Sequence, residues 1–260
     1  MTTVAEVFAA LNRNYPMQLT EPWDSSGVIC GSWHANVSKI LIAVDITSEL
    51  LDEAADIGAE CIVTHHPLVL PRHSVINDVW KFRLMARANA FNIALINAHT
   101  NADNARPGVS DALAARIGLI ETDALVPTDL DAVTGTGRIG RLSTPMSLGQ
   151  LVAVINQAVP GANARTNADP ETFVSTVALC GGAGDSLLGL VRETDADVYI
   201  TSDLRHHPVL EHQQSGGCPL IDIEHSAAES AWLPELSTVL TRDLGVQVAV
   251  SKLSTSAWNA

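Results

Sequence analysis

The chain has 260 residues, and its 15 Lys and Arg against 29 Asp and Glu give a formal net charge of −14. This acidic balance argues against binding of duplex nucleic acid, because that function needs a basic face for the phosphates. Hydrophobic residues make up 47% of the chain and charged residues 17%, which predicts a globular core and argues against a disordered chain. The length fits one large domain or two small ones.

Membrane and disulfide-rich classes are also disfavoured. No apolar stretch approaches the roughly 18 residues that a membrane-spanning helix needs. The first residues lack the cationic and apolar regions of a secretory signal and predict an amphipathic helix instead. The four cysteines form no Cys-x-x-Cys pair, which argues against a thiolate zinc site; they are Cys30, Cys61, Cys180 and Cys218. We therefore expect reduced thiols and a cytoplasmic location.

Strand-like and helix-like segments alternate in the first half of the chain. Apolar runs predict strands at 39–44, 61–64 and 93–96. Helical periodicity predicts helices at 47–58, at about 76–90 and at 109–117. Strands separated by helices indicate a largely parallel sheet with helices on its faces.

Residues 120–137 interrupt this alternation, and they predict a domain boundary because they are acidic and Thr-rich and contain Pro127 and glycines. We therefore predict domains at 1–125 and 126–260, with the last segment a candidate to pack back on the first domain. Beyond the boundary, strands are predicted at 138–142, 173–179, 198–200, 220–223 and 246–250. Helices are predicted at 147–158, 185–193, 204–214 and 226–244. The predicted fold is two α/β domains, each a sheet flanked by helices.

Reactive side chains follow the strands of the first domain, at the sheet edge where such folds bind ligands. His65 and His66 come directly after the second strand, and adjacent neutral imidazoles suit divalent transition metals. His99 and Asp103 follow the third strand. Asp103 offers an oxygen ligand, and His99 is either a ligand itself or a hydrogen-bond donor to a residue that is a ligand. The alternatives are an exposed histidine pair without a metal role and a polar loop with an Asn/Asp turn.

The second domain carries a comparable motif in "IDIEHSAAES". His225 leaves a strand, and Glu229 follows four residues later on the opening turn of a helix, so that both side chains share one helical face. Glu224 competes as a ligand candidate from the other side of His225. The alternative is an ordinary acidic residue that stabilises a helix N-terminus.

A further cluster, "YITSDLRHHPVLEH", contains Asp203, His206, His207 and His212. If the helix begins at Leu204, Asp203 and His207 share a face; otherwise the segment is a capped helix with surface histidines. Six of the nine histidines follow predicted strands, a location that independent surface histidines would not favour. They are His65, His66, His99, His206, His207 and His225.

The glycine-rich segment "LCGGAGDS" at 179–186 predicts a strand, a turn and a helix start. Its exposed backbone N–H groups could hold a phosphate or a carboxylate. It matches neither a Walker loop nor a full dinucleotide fingerprint, so a tight turn that serves packing is the other interpretation.

Together and in order, these motifs resemble the GTP cyclohydrolase 1 type 2 homologue family, also called the NIF-three-like family. The resemblance covers almost the whole chain: "EPWDSSGVICG" at 21–31, the segment 40–70 ending in "THHPLVL", and then "AHTNAD", "CGGAGDSL", "YITSDLRHH" and "IEHSAAES". Only a short linker joins the halves, as in the family's short form. Ser25 and "STSAW" at 254–258 depart from the family pattern, which indicates a different pocket rim and substrate.

The resemblance implies a dinuclear metal site in the cleft between two α/β domains, and a ring-shaped homohexamer. It implies two divalent ions per subunit, whose identity (Zn, Fe, Mn, Ni or Co) the ligand types leave open. The implied ligands are His65, His66, Asp103, His225 and Glu229, with Glu229 bridging the ions. His99 and His207 match positions close to the site, where we assign them a supporting role.

Five such ligands leave open coordination positions, which is typical of catalytic sites. The leading hypothesis is a metal-dependent hydrolase, GTP cyclohydrolase-like or phosphoesterase-like, in which activated water attacks a small substrate while His99, His207 or Asp203 relays protons. The alternatives are a non-catalytic metal-binding scaffold or regulatory partner that forms a ring, and a phosphate-binding module without metal. A membrane partner is not expected, and nucleic acid is disfavoured.

Overall fold

The computed structural model describes residues 1–69 and 79–258. The strands are β1 (Thr2–Thr3), β2 (Gly27–Cys30), β3 (Asn36–Val37), β4 (Lys39–Ala43), β5 (Cys61–Thr64), β6 (Ala94–Asn97), β7 (Leu119–Pro127), β8 (Gly135–Ser147), β9 (Arg165–Thr166), β10 (Phe173–Ala183), β11 (Val198–Ser202), β12 (Leu220–Asp222) and β13 (Gln247–Val250). The helices are α1 (Val4–Asn14), α2 (Ser48–Ile57), α3 (Val79–Ala90), α4 (Thr100–Asn104), α5 (Val109–Arg116), α6 (Leu148–Ala158), α7 (Leu188–Val191), α8 (His206–Gln214), α9 (His225–Ser230) and α10 (Leu233–Leu244).

The described residues form two compact units: unit 1 lies within Met1–Ala105 and Leu233–Thr255, and unit 2 comprises Arg106–Trp232 with residues 256–258. The predicted boundary at 125/126 therefore differs from the structural division, which falls after Ala105. The segment at 120–137 forms most of β7 and the start of β8, which pair antiparallel. β7 lies at the edge of its sheet, and edge strands carry the polar and charged residues that also characterise linkers.

Unit 1 is built on a five-stranded sheet in the order β13-β4-β5-β6-β2. β13, β4, β5 and β6 are parallel to one another, and β2 runs antiparallel to β6. β5 and β6 are buried along their whole length, as the continuous apolar runs predict for strands covered on both faces. Of the predicted helix at about 76–90, residues 79–90 form α3, and 76–78 lie outside the described residues.

Helix α2 shows how local sequence sets the ends of an element. The Thr47 side chain caps its start by accepting from the N–H of Leu50 at 3.1 Å. Gly58 ends it in the left-handed conformation, with φ of 69°, which a glycine adopts without steric cost. Both ends coincide with the prediction from the sequence.

Unit 2 is built on a six-stranded mixed sheet in the order β7-β8-β10-β11-β12-β9. β10, β11 and β12 are parallel, and the remaining neighbours are antiparallel. The single helix predicted at 226–244 is two helices, α9 and α10, and the break at Ala231–Trp232 is where the chain leaves unit 2 for unit 1. The helix predicted at 185–193 is a 3₁₀ turn followed by α7. Among the described residues, no helix has the length and apolar character needed to cross a membrane.

A buried ion pair joins α5 to the sheet of unit 2. Arg138 is fully buried, and its guanidinium donates to both carboxylate oxygens of Asp111 at 2.8 and 2.6 Å. The same guanidinium donates to the backbone carbonyls of Gly135 and Gly137, each at 2.7 Å. Because a buried charge is costly without partners, this network ties the β8 backbone to α5.

We expect Asp111→Asn to destabilise the fold by on the order of 3 kcal/mol, because it leaves the Arg138 charge buried without its counter-ion. The matched control is Asp185→Asn, whose partner Arg205 is three-quarters exposed, and here we expect less than about 1 kcal/mol. Urea denaturation of both variants measures the difference. Equal shifts of the two midpoints would contradict the special role of the buried pair.

Candidate metal centre

The strand register of unit 1 brings four of its polar residues to one edge of the sheet. β4, β5 and β6 are parallel, and their last residues are aligned with one another. Asp45, His66 and His99 each lie two residues beyond those aligned ends, and His65 directly follows β5. Parallel strands thus gather residues that are far apart in the sequence, as the motif positions predict.

Backbone bonds hold the two adjacent histidines at the end of β5. The N–H groups of His65 and His66 donate to the carbonyls of Ala43 and Val44 at 3.2 and 2.9 Å. The Thr64 hydroxyl donates to the carbonyl of His66 at 2.8 Å. The turn that carries both imidazoles is therefore held by two backbone hydrogen bonds and one side-chain hydrogen bond.

Three imidazoles meet at this edge. His65, His66 and His99 each offer a ring nitrogen, and these nitrogens lie within 4.8 Å of one another. His65 is fully buried, and the other two are partly buried. Three neutral imidazoles around one point form a donor set that suits divalent transition metals.

Hydrogen bonds determine which ring nitrogen of each imidazole carries the proton. Nδ1 of His65 lies 3.0 Å from the carbonyl oxygen of Ala98, an atom that can only accept, so Nδ1 donates and Nε2 carries the lone pair. Nδ1 of His66 donates in the same way to Oδ1 of Asp45 at 2.7 Å. The Thr255 hydroxyl donates to the other oxygen of Asp45 at 2.5 Å. Fixing Nδ1 in this way leaves Nε2 as the atom that could bind a metal ion.

His99 is held by Asp24, a residue of the segment "EPWDSSGVICG" that no sequence signal marked as part of the site. Nδ1 of His99 donates to Oδ1 of Asp24 at 2.8 Å. The Asp24 carboxylate also accepts from the hydroxyl of Thr100 at 2.6 Å and from the N–H of Ser25 at 2.6 Å. Burial by itself would raise the pKa of Asp24, but the hydrogen bonds from His99, Thr100 and Ser25 outweigh it and hold that pKa well below its usual range. Asp24 therefore stays ionised and supports the imidazole.

Asp103 lies in α4, close to His65. Its Oδ1 is 3.6 Å from Nε2 of His65, which carries a lone pair because Nδ1 carries the proton. An imidazole lone pair and a carboxylate oxygen that face each other attract a cation or a shared proton. The structure therefore brings together His65, His66 and Asp103, the three residues of unit 1 that the resemblance implies as ligands.

In unit 2, His225 lies between two carboxylates. Its Nδ1 is 2.7 Å from Oδ2 of Asp203, and its Nε2 is 2.9 Å from Oε1 of Glu229, which is 3% exposed. The pairing of His225 with Glu229 at a spacing of four is the one that the sequence predicts. Glu224 caps α9 instead of competing as a ligand, because its Oε2 accepts from the N–H of Ala227 at 2.7 Å.

Asp203 and His207 do not share a helical face, because the condition for it, a helix that begins at Leu204, is not met. Asp203 has φ of 57° and precedes α8, which begins at His206, so the two residues do not belong to one helix. A left-handed φ at a residue other than glycine is strained, and here it accompanies the contact of Asp203 with His225. His207 is exposed, and among the described residues its ring contacts His206, with centroids 5.2 Å apart.

The glycine-rich turn lies against the carboxylate of Glu229. Gly182 has φ of 71°, and a Cβ at this position would lie 2.4 Å from Oε1 of Glu229 and 3.3 Å from Nε2 of His225. The backbone therefore approaches these groups more closely than any side chain would permit. Gly182 therefore serves packing: a residue without a side chain is needed where the turn passes beside Glu229.

We expect Gly182→Ala to destabilise unit 2 by about 1–3 kcal/mol more than Gly216→Ala, because only the first adds a steric conflict. Gly216 is the matched control: its φ is 75°, and a Cβ there meets nothing within 4 Å. Both substitutions place an alanine at a similar positive φ and therefore cause a similar backbone strain. The difference between their urea midpoints isolates the contact with Glu229. Equal midpoints would contradict the close approach.

The chain is similar to known proteins over almost its whole length. A GTP cyclohydrolase 1 type 2 homolog of Streptomyces coelicolor is 40% identical over 272 residues, covering 100% of this chain and 95% of that protein. NIF3-like protein 1 of Drosophila melanogaster is 30% identical over 252 residues, covering 95% and 85%. A solved Bacillus cereus protein related to NIF3 has the same fold, with a TM-score of 0.92 at 22% identity and coverage of 100% and 99%.

The family described as Duf34/NIF3 (NGG1p interacting factor 3) matches residues 2–257. The match covers almost the whole chain and confirms the resemblance that the ordered motifs predict. The chain belongs to the Duf34/NIF3 family.

Proposed function

We propose that the protein is a metal-dependent hydrolase that acts on a small substrate. His65, His66 and Asp103 of unit 1, with His225 and Glu229 of unit 2, would hold two divalent ions in one centre, as the resemblance to the family implies. The cleft position of that centre is part of the proposal. The observation that carries it is the fixed Nδ1 of His65 and of His66, which leaves Nε2 of each as the ligand atom.

The donor types fit such ions. Imidazole nitrogens and carboxylate oxygens suit Zn, Fe, Mn, Ni and Co, and carboxylates paired with the imidazoles are the partners that metal-bound histidines usually have. When bound, two such ions would lower the pKa of water and stabilise negative charge on a substrate oxygen.

His99 is our candidate for the proton relay. Its Nδ1 donates to Asp24, so Nε2 can accept a proton, and the Asp24 carboxylate then stabilises the imidazolium. Trp23 lies edge-on to His99, with ring centroids 5.9 Å apart, and its indole is about half exposed. An exposed indole beside the relay offers a surface on which a substrate ring can stack.

We expect His66→Ala to lower the affinity for divalent metal at least tenfold, because it removes one imidazole from the set of five proposed ligands. The matched control is His34→Ala, which removes an exposed histidine outside the set and should leave the affinity unchanged. Calorimetric titration with Zn or Mn, supported by elemental analysis, measures both variants. Equal metal binding by the two variants would rule out His66 as a ligand.

Turnover assays test the hydrolase itself. Protein loaded with Mn, Fe, Zn or Ni should hydrolyse GTP or at least one member of a phosphoester panel. His99→Gln should lower kcat by about 10²-fold, the usual contribution of a general acid or base, without loss of metal. Loss of metal from this variant would make His99 a ligand instead. Failure of every metal form to turn over any substrate would overturn the hydrolase proposal.

A non-catalytic role is the second candidate, and the names of relatives support it. The family description refers to an NGG1p interacting factor, and a relative from Saccharomyces cerevisiae is called NGG1-interacting factor 3. Under this alternative the same residues would bind metal in a scaffold or regulatory partner, and metal binding would occur without turnover. The homohexameric ring stays a prediction from the resemblance under both proposals.

A further inference from the structure

Unit 2 contains a cavity that none of the proposed metal ligands lines. Its volume is about 370 Å³, within the range of small-molecule pockets. It is formed by β9, β12 and α8 together with the residues that lead into this helix. A cavity of this size can take a ligand of several non-hydrogen atoms.

One side of the cavity is apolar. Leu220 is 1% exposed and belongs to a buried cluster of unit 2, and Leu204 and Val209 pack against that cluster. All three residues line the cavity. This surface suits a hydrocarbon chain or ring, because it lies on the hydrophobic core rather than on isolated exposed side chains.

Two arginines lie at the rim. Arg165 donates through Nε and Nη2 to Oδ2 of Asp222 at 3.0 and 2.7 Å. Arg205 donates through the same two nitrogens to Oδ2 of Asp185 at 3.1 and 2.5 Å. A guanidinium has five N–H donors in a planar fork, so each arginine can donate from Nη1 to a second anion.

The charge of the lining contrasts with that of the chain. Two arginines and one aspartate, Asp222, line the cavity, whereas the whole chain carries a net charge of −14. Helix α8 adds its N-terminus: it begins at the lining residue His206, and Arg205 occupies the cap position without a side-chain capping bond. The first N–H groups of such a helix favour a negative group.

A buried donor provides an independent indication of a ligand. Oδ1 of Asn167 accepts from the N–H of Leu220 at 2.8 Å, which fixes the orientation of the amide. Nδ2 of Asn167 is buried and has no hydrogen-bond partner among the described residues. Buried donors are rarely left without an acceptor, and Asn167 lines the cavity, so a ligand oxygen there would satisfy it.

We propose that this cavity binds a small amphipathic anion. Its apolar body covers Leu204, Val209 and Leu220, and its single carboxylate or phosphate group is held by Arg165 and Arg205 at the start of α8. Neither an uncharged apolar molecule nor a bare anion uses both parts of the lining. The proposal does not depend on the metal centre or on hydrolysis.

The test uses the full chain, loaded with metal, and calorimetric titration with four probes. Hexanoate and hexyl phosphate carry both the apolar body and the anion, whereas hexanol and acetate each carry one. We expect at least one of the first two to bind tenfold or more tightly than either of the others. Preference for hexanoate or for hexyl phosphate identifies the anionic group. Equal affinity for all four probes would overturn the proposal.

Substitutions then locate the binding. The double variant Arg165→Gln, Arg205→Gln should weaken binding at least tenfold, and both side chains are about three-quarters exposed, so the fold should persist. Arg192→Gln, an exposed arginine of unit 2 outside the cavity, should bind as the unsubstituted chain does. His66→Ala should also leave binding unchanged. Unchanged binding in the double variant, or lost binding in His66→Ala, would refute the site.

Discussion

The candidate centre of unit 1 depends on the aligned ends of three parallel strands. Because β4, β5 and β6 finish at the same level, the residues that follow them meet at one edge although they are far apart in the sequence. His65 and His66 come from one strand end, His99 from the next, and Asp45 from the strand on the other side. A shift of one residue in register would point these side chains to opposite faces of the sheet.

A second set of contacts gives the gathered imidazoles their direction. Each of the three donates from Nδ1 to an oxygen, and two of those oxygens belong to carboxylates that other groups hold in turn. Asp24 is fixed by Thr100 and Ser25, and its ionised state persists despite burial. The three imidazoles are therefore oriented before any ion binds, which would reduce the cost of ordering them on binding.

The C-terminal part of the chain also supports this arrangement. After α9, the chain leaves unit 2 and adds β13 to the edge of the unit 1 sheet, in parallel with β4. It then places Thr255 against Asp45, the residue that orients His66. The segment "STSAW", where the sequence departs from the family pattern, thus supplies a hydroxyl that supports the site. Substitutions in this segment are expected to act through Asp45 rather than through direct contact with a ligand.

Local sequence was sufficient for the strands β4, β5, β6 and β13 of unit 1, for both ends of α2, and for placing His65, His66 and His99 just beyond strand ends, because periodicity and strand ends are short-range signals. It did not predict the short strands β1 and β3 or the antiparallel strand β2. It was insufficient for the edge strand β7, whose polar residues look like a linker, and for the break between α9 and α10. Asp24 is 75 residues from His99, and Thr255 is 210 residues from Asp45. Only the tertiary structure decided these pairings, because they depend on strand order and register, which local patterns do not encode.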